Sequence, residues 1–157
     1  MIRILFVCLG NICRSPMAEA VMRDLVAKNK LSDKIEVDSA GTADWHTGKV
    51  PHKGTRAKLD EYDISYDHMT ARQIKQADFT DFQYIIVMDE QNLYDLKKSY
   101  ELNKHVVVQK LLDNVKGTHE ENVPDPYYTG DFQYTYELVS NACEQLLQQI
   151  MIKHQLN

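Results

Sequence analysis

Ile2–Val7 is an apolar, β-branched-rich run that passes without a break into the loop Cys8-Leu9-Gly10-Asn11-Ile12-Cys13-Arg14-Ser15. Pro16 comes next, well placed as the first residue of a helix with Ser15 as its N-cap. A continuous apolar run of this length reads as a strand buried on both faces. Strand, tight loop and helix in immediate succession commit the chain to an α/β architecture with a parallel sheet.

The remaining elements keep to that alternation. The first helix is expected to run to about Asn29, with Met17, Ala20, Val21, Met22 and Leu25 facing inward. Ile35–Ser39 reads as a second strand closed by Gly41, followed by a long loop, Thr42–Lys53, that holds Trp45, His46, Gly48 and Pro51. Gly54–Tyr62 reads as a helix, Tyr84–Met88 as a third buried strand, Gln91–Ser99 as a helix and Val106–Val108 as a short fourth strand. The Pro/Gly-rich stretch Val123–Gly130 precedes a last helix, where Leu138, Val139, Ala142, Leu146 and Ile150 recur at helical spacing. The expected fold is one domain over residues 1–157, three layers deep, with a central four-stranded parallel sheet and helices on both faces. Ligands of such sheets sit beyond the carboxyl ends of the strands, so the loop after the first strand is the natural candidate.

Charge and composition narrow the function. A net charge of −5 argues against a nucleic-acid binder, and any anion site must be local, made by a few cations and oriented amides. No stretch approaches the roughly 18 apolar residues of a membrane span. The apolar start is too short for a signal peptide, so cytoplasmic residence is expected, with release from a bacterial cell by another route left open. Three cysteines, Cys8, Cys13 and Cys143, cannot complete a disulfide framework and should be reduced there. The six histidines share no ligand spacing, and Cys8 to Cys13 is too loose for a zinc knuckle, so no metal is expected.

The first loop carries the chemistry. A cysteine ends a buried strand six positions before an arginine, and a helix starts at once. Such a loop can curl until the amides of Leu9, Gly10, Asn11, Ile12, Cys13 and Arg14 converge on one anion at a helix N-terminus. Gly10 and Asn11 are residue types that tolerate the positive φ this demands. Arg14 offers a planar fork for two phosphate oxygens. The same donors would favour a thiolate on Cys8, and Ser15 is placed to hydrogen-bond that sulfur. A thiolate under a phosphate cradle can attack phosphorus in line.

Val7-Cys8-Leu9-Gly10-Asn11-Ile12-Cys13-Arg14-Ser15-Pro16-Met17-Ala18-Glu19 closely resembles the signature of the low-molecular-weight protein tyrosine phosphatases. Asp125-Pro126-Tyr127-Tyr128 resembles the same family's second signature, and Asp38-Ser39-Ala40-Gly41, Ala71-Arg72-Gln73 and Tyr84-Ile85-Ile86-Val87-Met88-Asp89 resemble family segments in the right order. The resemblance implies hydrolysis of phosphotyrosine through a phosphocysteine on Cys8, with Arg14 on the phosphoryl group. Asp125 would then be the acid for the leaving phenolate and the base for water, and Asn11 would hold the loop through Ser39. It implies no metal and no cofactor, since phosphoryl transfer here asks for positioning and electrostatics. Phosphotyrosine proteins would be the partners and inorganic phosphate the product and an inhibitor, acting on a monomer or weak dimer. Cys13, by the same resemblance, would trap oxidised Cys8 as a disulfide.

Specificity should come from depth and aromatic walls. Ile12, Trp45, Tyr127 and Tyr128 are the candidate slot around an aryl ring, although Trp45 reads equally as a packing residue and the two tyrosines as loop packing or as phosphorylation sites. Cys143 reads as core. Thioredoxin-coupled arsenate reductases resemble the first loop but need a further cysteine pair, and residues 70–120 contain no cysteine. Protein arginine phosphatases are the nearer rival, but they carry threonine where this chain has Ile12. A catalytically silent phosphotyrosine-binding module is the rival from a different class, and it predicts loss of Cys8 or Asp125, both present.

Overall fold

Side chains in β1 (Ile2–Cys8) alternate between two apolar layers, which is why nearly every residue of the strand is apolar. Ile4, Phe6 and Cys8 join the larger cluster, and Leu5 and Val7 the smaller one on the opposite face. The computed structural model describes residues 1–157. After β1 come α1 (Arg14–Lys28), β2 (Ile35–Gly41), α2 (Lys53–Glu61), α3 (Asp78–Asp81) and β3 (Tyr84–Val87). The chain continues through α4 (Glu90–Ser99), β4 (Val107–Lys110), α5 (Pro126–Thr129) and α6 (Phe132–Lys153).

The four strands form one parallel sheet in the order β2-β1-β3-β4. The larger core layer packs α1 and α6 on one face, with Met17, Met22, Val139 and Leu147 against Ile4, Phe6 and Ile86. The smaller layer sets Phe79, Phe82 and Leu96 of the α3–α4 side against Leu5, Val7, Ile85 and Val87. Each fully buried side chain of this size contributes about 1.5–3 kcal/mol. No helix is long and apolar enough to cross a membrane.

Strand order reverses direction at β1, with β2 on one side and β3 on the other. The crevice at the carboxyl end of β1 is therefore flanked by the loops that follow β1, β2, β3 and β4.

Three local expectations need correction. The first helix begins at Arg14, not Pro16, its N-cap position is Cys13, and no side chain caps it. Ser15 is fully buried inside the first turn, with its hydroxyl on Cys8 rather than on a helix amide. The fourth strand is Val107–Lys110 instead of Val106–Val108, because its pairing with β3 runs from Tyr84↔Val107 to Val87↔Lys110. The short helices α3 and α5 fall in stretches too brief for apolar periodicity to reveal.

Candidate active site

The loop between β1 and α1 turns through Asn11, whose φ of 55° is left-handed. Its side chain holds that turn from three sides. Asn11 Oδ1 accepts from the Arg72 amide at 3.0 Å, while Nδ2 donates to Ser15 Oγ at 2.7 Å and to Ser39 Oγ at 2.9 Å. Because both Nδ2 bonds end on hydroxyl oxygens, the Ser15 proton is free to point at Cys8 Sγ, 3.0 Å away. The Asn11 amide also donates to that sulfur, at 3.3 Å. Two donors on one sulfur are what a sulfur bearing negative charge needs.

Around Cys8 the backbone N–H groups of Leu9, Gly10, Ile12 and Cys13 find no acceptor in the protein. Arg14, only 2% exposed, likewise keeps a buried Nε without a partner. Its Nη1 donates to Asp89 Oδ2 at 2.6 Å and to the Val123 carbonyl at 2.9 Å, and its Nη2 lies 3.3 Å from Asp125 Oδ2. Burial opposes the Arg14 charge, but Cys8, Asp125 and Asp89 outweigh it and hold the guanidinium above its already high value. Cys13 is pushed up to about 12, first by burial and then by Cys8 and Asp125.

Asp125 follows β4 and is the N-cap of α5, accepting from the Tyr127 amide at 3.0 Å, with Pro126 fixed at the first helical position. One carboxylate thus caps a helix through Oδ1 and faces Arg14 through Oδ2. The cap explains why the two tyrosines project from a rigid turn. Tyr127 and Tyr128 meet edge to face at 5.2 Å between ring centres.

Cys8, Leu9, Gly10, Ile12, Cys13, Asp125, Tyr127, Tyr128, Trp45 and His46 line a single cavity of about 220 Å³. Asn11, Arg14, Ser15 and Ser39 stand behind it, all buried. Ile12 is 8% exposed and forms wall, whereas Trp45 at 65% and Tyr128 at 72% stand out at the mouth.

Four residues of this site take roles that the sequence did not assign to them. Asp89 lies two residues past β3, closes the family-like segment that begins at Tyr84, and caps α4 by accepting from the Asn92 amide. Glu19 lies 3% exposed in α1, where it accepts from Ser39 Oγ at 2.6 Å and pairs with Arg23. His46 packs against Gly10, where a Cβ would come 3.0 Å from its ring. His52 stacks on Phe132 at 5.3 Å and meets Tyr127 edge-on at 5.9 Å, bracing the tyrosine from below. No group of three or more His, Cys, Asp or Glu side chains is arranged to hold a metal ion.

The sequence profile of the low molecular weight phosphotyrosine protein phosphatases matches residues 3–156. The low molecular weight protein-tyrosine-phosphatase YfkJ of Bacillus subtilis is 49% identical, over 99% of this chain and 100% of that protein. The crystal structure of YfkJ superposes with a TM-score of 0.94, covering 98% of this chain and 96% of that one. A crystal structure of DARP, a Drosophila arginine phosphatase, is 35% identical with a TM-score of 0.86, covering 96% of this chain and 98% of that one. The chain belongs to the low molecular weight phosphotyrosine protein phosphatase family.

Proposed function

We propose that this chain hydrolyses phosphotyrosine in proteins, and small aryl phosphates, in two steps through a phosphocysteine on Cys8. In the first step the Cys8 thiolate forms a bond to phosphorus in line with the departing phenolic oxygen, and Asp125 gives that oxygen its proton. In the second, Asp125 takes a proton from water, the water oxygen bonds to phosphorus, and the S–P bond breaks to return the thiolate and release inorganic phosphate.

One observation carries this reading. The free amides of Leu9, Gly10, Ile12 and Cys13 and the unpartnered Arg14 Nε surround a sulfur that already accepts from Asn11 and Ser15. Donors so gathered suit the charge spread over the equatorial oxygens of a transferring phosphoryl group. Ser15 steadies the sulfur both as nucleophile and as leaving group, and the amide and hydroxyl set does this without a metal or cofactor. Ile12, Tyr127, Tyr128 and Trp45 form the aryl slot, deep enough that a phosphoserine would reach the sulfur poorly. Cys13 traps a peroxide-oxidised Cys8 as a disulfide, with loss of water. The protein works as a single domain, a monomer or weak dimer, in the cytoplasm.

Hydrolysis of phosphotyrosine, phosphoserine and phosphoarginine peptides side by side, with Cys8→Ser as control, tests the proposal. Phosphotyrosine should turn over fastest, and Cys8→Ser should abolish it. Faster turnover of phosphoarginine would favour the activity named for the Drosophila relative and remove the slot argument built on Ile12. Binding without turnover by the intact chain would point to a silent phosphotyrosine module.

A further inference from the structure

Residues 45–59 contain Lys49, Lys53, Arg56 and Lys58 together with His46 and His52, and no Asp or Glu, in a chain of net charge −5. Asp44 and Asp60 bound the stretch and are both exposed. The segment is tied along one side of the cavity mouth. Trp45 and His46 line the cavity. The His52 amide donates to the Ile12 carbonyl at 2.7 Å, and Thr55 Oγ1 donates to the Cys13 carbonyl at 3.1 Å. The loop that carries Cys8 is therefore bonded directly to this basic stretch.

Of the four cations, only Lys58 meets a carboxylate, that of Glu61 at 2.6 Å. Lys49 and Lys53 are exposed and form no ion pair, and Arg56 gives its Nε to the Pro51 carbonyl at 2.9 Å and pairs with no carboxylate. The other arginines are matched, since Arg3, Arg14, Arg23 and Arg72 each face an Asp or Glu. The local field is positive accordingly. His52 is held below its ordinary value by burial first and then by the charges of Lys53, Arg56 and His46. Asp125, Tyr127 and Tyr128 line the same cavity, and Tyr127 packs against His46 and His52 of the basic stretch.

We infer that Lys49, Lys53 and Arg56 form a rim that reads acidic side chains flanking the phosphotyrosine, which makes phosphotyrosines in Asp- and Glu-rich sequence the preferred substrates. The inference rests on the phosphatase reading above and adds the substrate class to it. A single exposed ion pair is weak, but several unpaired cations on one side of a cleft steer and orient an acidic peptide together. An acidic flank would meet no competing carboxylate on this side between Asp44 and Asp60.

The test uses phosphotyrosine peptides with acidic, neutral and basic flanks, and p-nitrophenyl phosphate as a substrate with no flank. The full chain is compared with the double variant Lys49→Glu, Lys53→Glu. Both positions are exposed, and Lys53 opens α2, where a carboxylate suits the helix N-terminus, so the fold should be retained. The wild type should favour the acidic peptide, and the double variant should lose about five- to tenfold in kcat/KM on that peptide alone. Its rate on p-nitrophenyl phosphate should be unchanged. Equal turnover of the three peptides by the wild type, or an equal loss on acidic and neutral peptides, would overturn the rim while leaving the phosphatase reading intact. Failure to turn over any peptide or p-nitrophenyl phosphate would overturn both.

Discussion

Ser39 donates its hydroxyl proton to Glu19 Oε1 at 2.6 Å and therefore accepts the Asn11 Nδ2 proton at 2.9 Å. A hydroxyl has one proton to give, so the Glu19 carboxylate fixes the direction of the Ser39 bond, and the Asn11 Nδ2 group, which donates both its protons, fixes that of Ser15. The order runs from Glu19 through Ser39 and Asn11 to Ser15 and ends on Cys8 Sγ. Ser39→Ala removes the middle of this chain and leaves a buried carboxylate and a buried amide each short of a partner. Loss of about 1–3 kcal/mol of stability is expected, read by urea unfolding, together with a lower kcat as Asn11 loosens. Unchanged kcat in a destabilised variant would detach the chain from catalysis.

Glu19 also predicts a pH effect. Burial raises its carboxyl above the ordinary range, with Ser39 and Arg23 opposing that rise and Asp38 adding to it. Between the unfolded and the raised folded values the native state binds more protons, so this group favours folding most at low pH. That contribution is lost as pH rises through the folded value. Glu19→Gln keeps an acceptor for Ser39 and removes the titration. The Tm of the variant relative to wild type should therefore improve as pH is raised from about 4 to 7. A difference that stays flat over this range would mean that burial does not raise the Glu19 carboxyl.

Asp125→Asn separates chemistry from structure. Asn retains the α5 cap and costs little there, while the proton for the leaving oxygen is lost. On phosphotyrosine peptides kcat/KM, which reports the first step, should fall by about 10²–10⁴. On p-nitrophenyl phosphate, whose leaving group needs no proton, the fall in kcat/KM should be much smaller, while kcat drops on both substrates because the base for water is lost. Equal losses in kcat/KM on both substrates would assign Asp125 to holding Arg14 instead.

Much of this molecule was legible because two periodicities coincide with burial. The runs at Ile2–Val7 and Tyr84–Met88 are apolar on both faces, so neither could be mistaken for a surface strand. The loop between Cys8 and Arg14 was legible through residue chemistry, since an arginine at a helix start implies an anion, but of the two residues expected to take positive φ only Asn11 does and Gly10 does not. The roles of Asp89, Glu19 and His52 were not legible, although Glu19 and Asp89 each close a segment that resembles the family. Their roles depend on which strand ends adjoin β1 and on which face of α1 meets β2, neither of which a linear spacing encodes. The early start of α1 was hidden for a related reason. Ser15 is a good cap by type, but its hydroxyl is committed to Cys8, a bond that only the folded loop creates.

Gly54 is required by a close approach rather than by its backbone angle. A Cβ there would run into the Phe132 ring, within 2.7 Å of Cδ2. Phe132 stacks on His52, which in turn braces Tyr127, so the clash would pass to the cavity wall. Gly54→Ala should cost about 1–3 kcal/mol by overpacking and raise KM for phosphotyrosine peptides more than it lowers kcat. Wild-type stability and KM would mean that α2 and α6 separate freely, and the bracing argument would fall.

The three cysteines should respond very differently to alkylation. Cys143 is pushed up by burial in the core between α1 and α6 and has no exposed surface. Cys13, pushed up to about 12 by burial and by the charges of Cys8 and Asp125, is a thiol at any assay pH. At pH 7 its thiolate fraction is on the order of 10⁻⁵, and only the thiolate alkylates. Iodoacetate near neutrality should therefore modify Cys8 alone, with complete loss of activity, and inorganic phosphate should protect it. Raising the pH toward the Cys13 value should bring in a second label. The same difference sets the expected order of oxidation by peroxide, because Cys8 should oxidise first and Cys13 should then close on it through its thiolate, its proton leaving with the sulfenic hydroxyl as water. Peptide mass spectrometry reads both experiments, and prior or equal labelling of Cys13 at neutral pH would refute the assignment of Cys8 as the nucleophile.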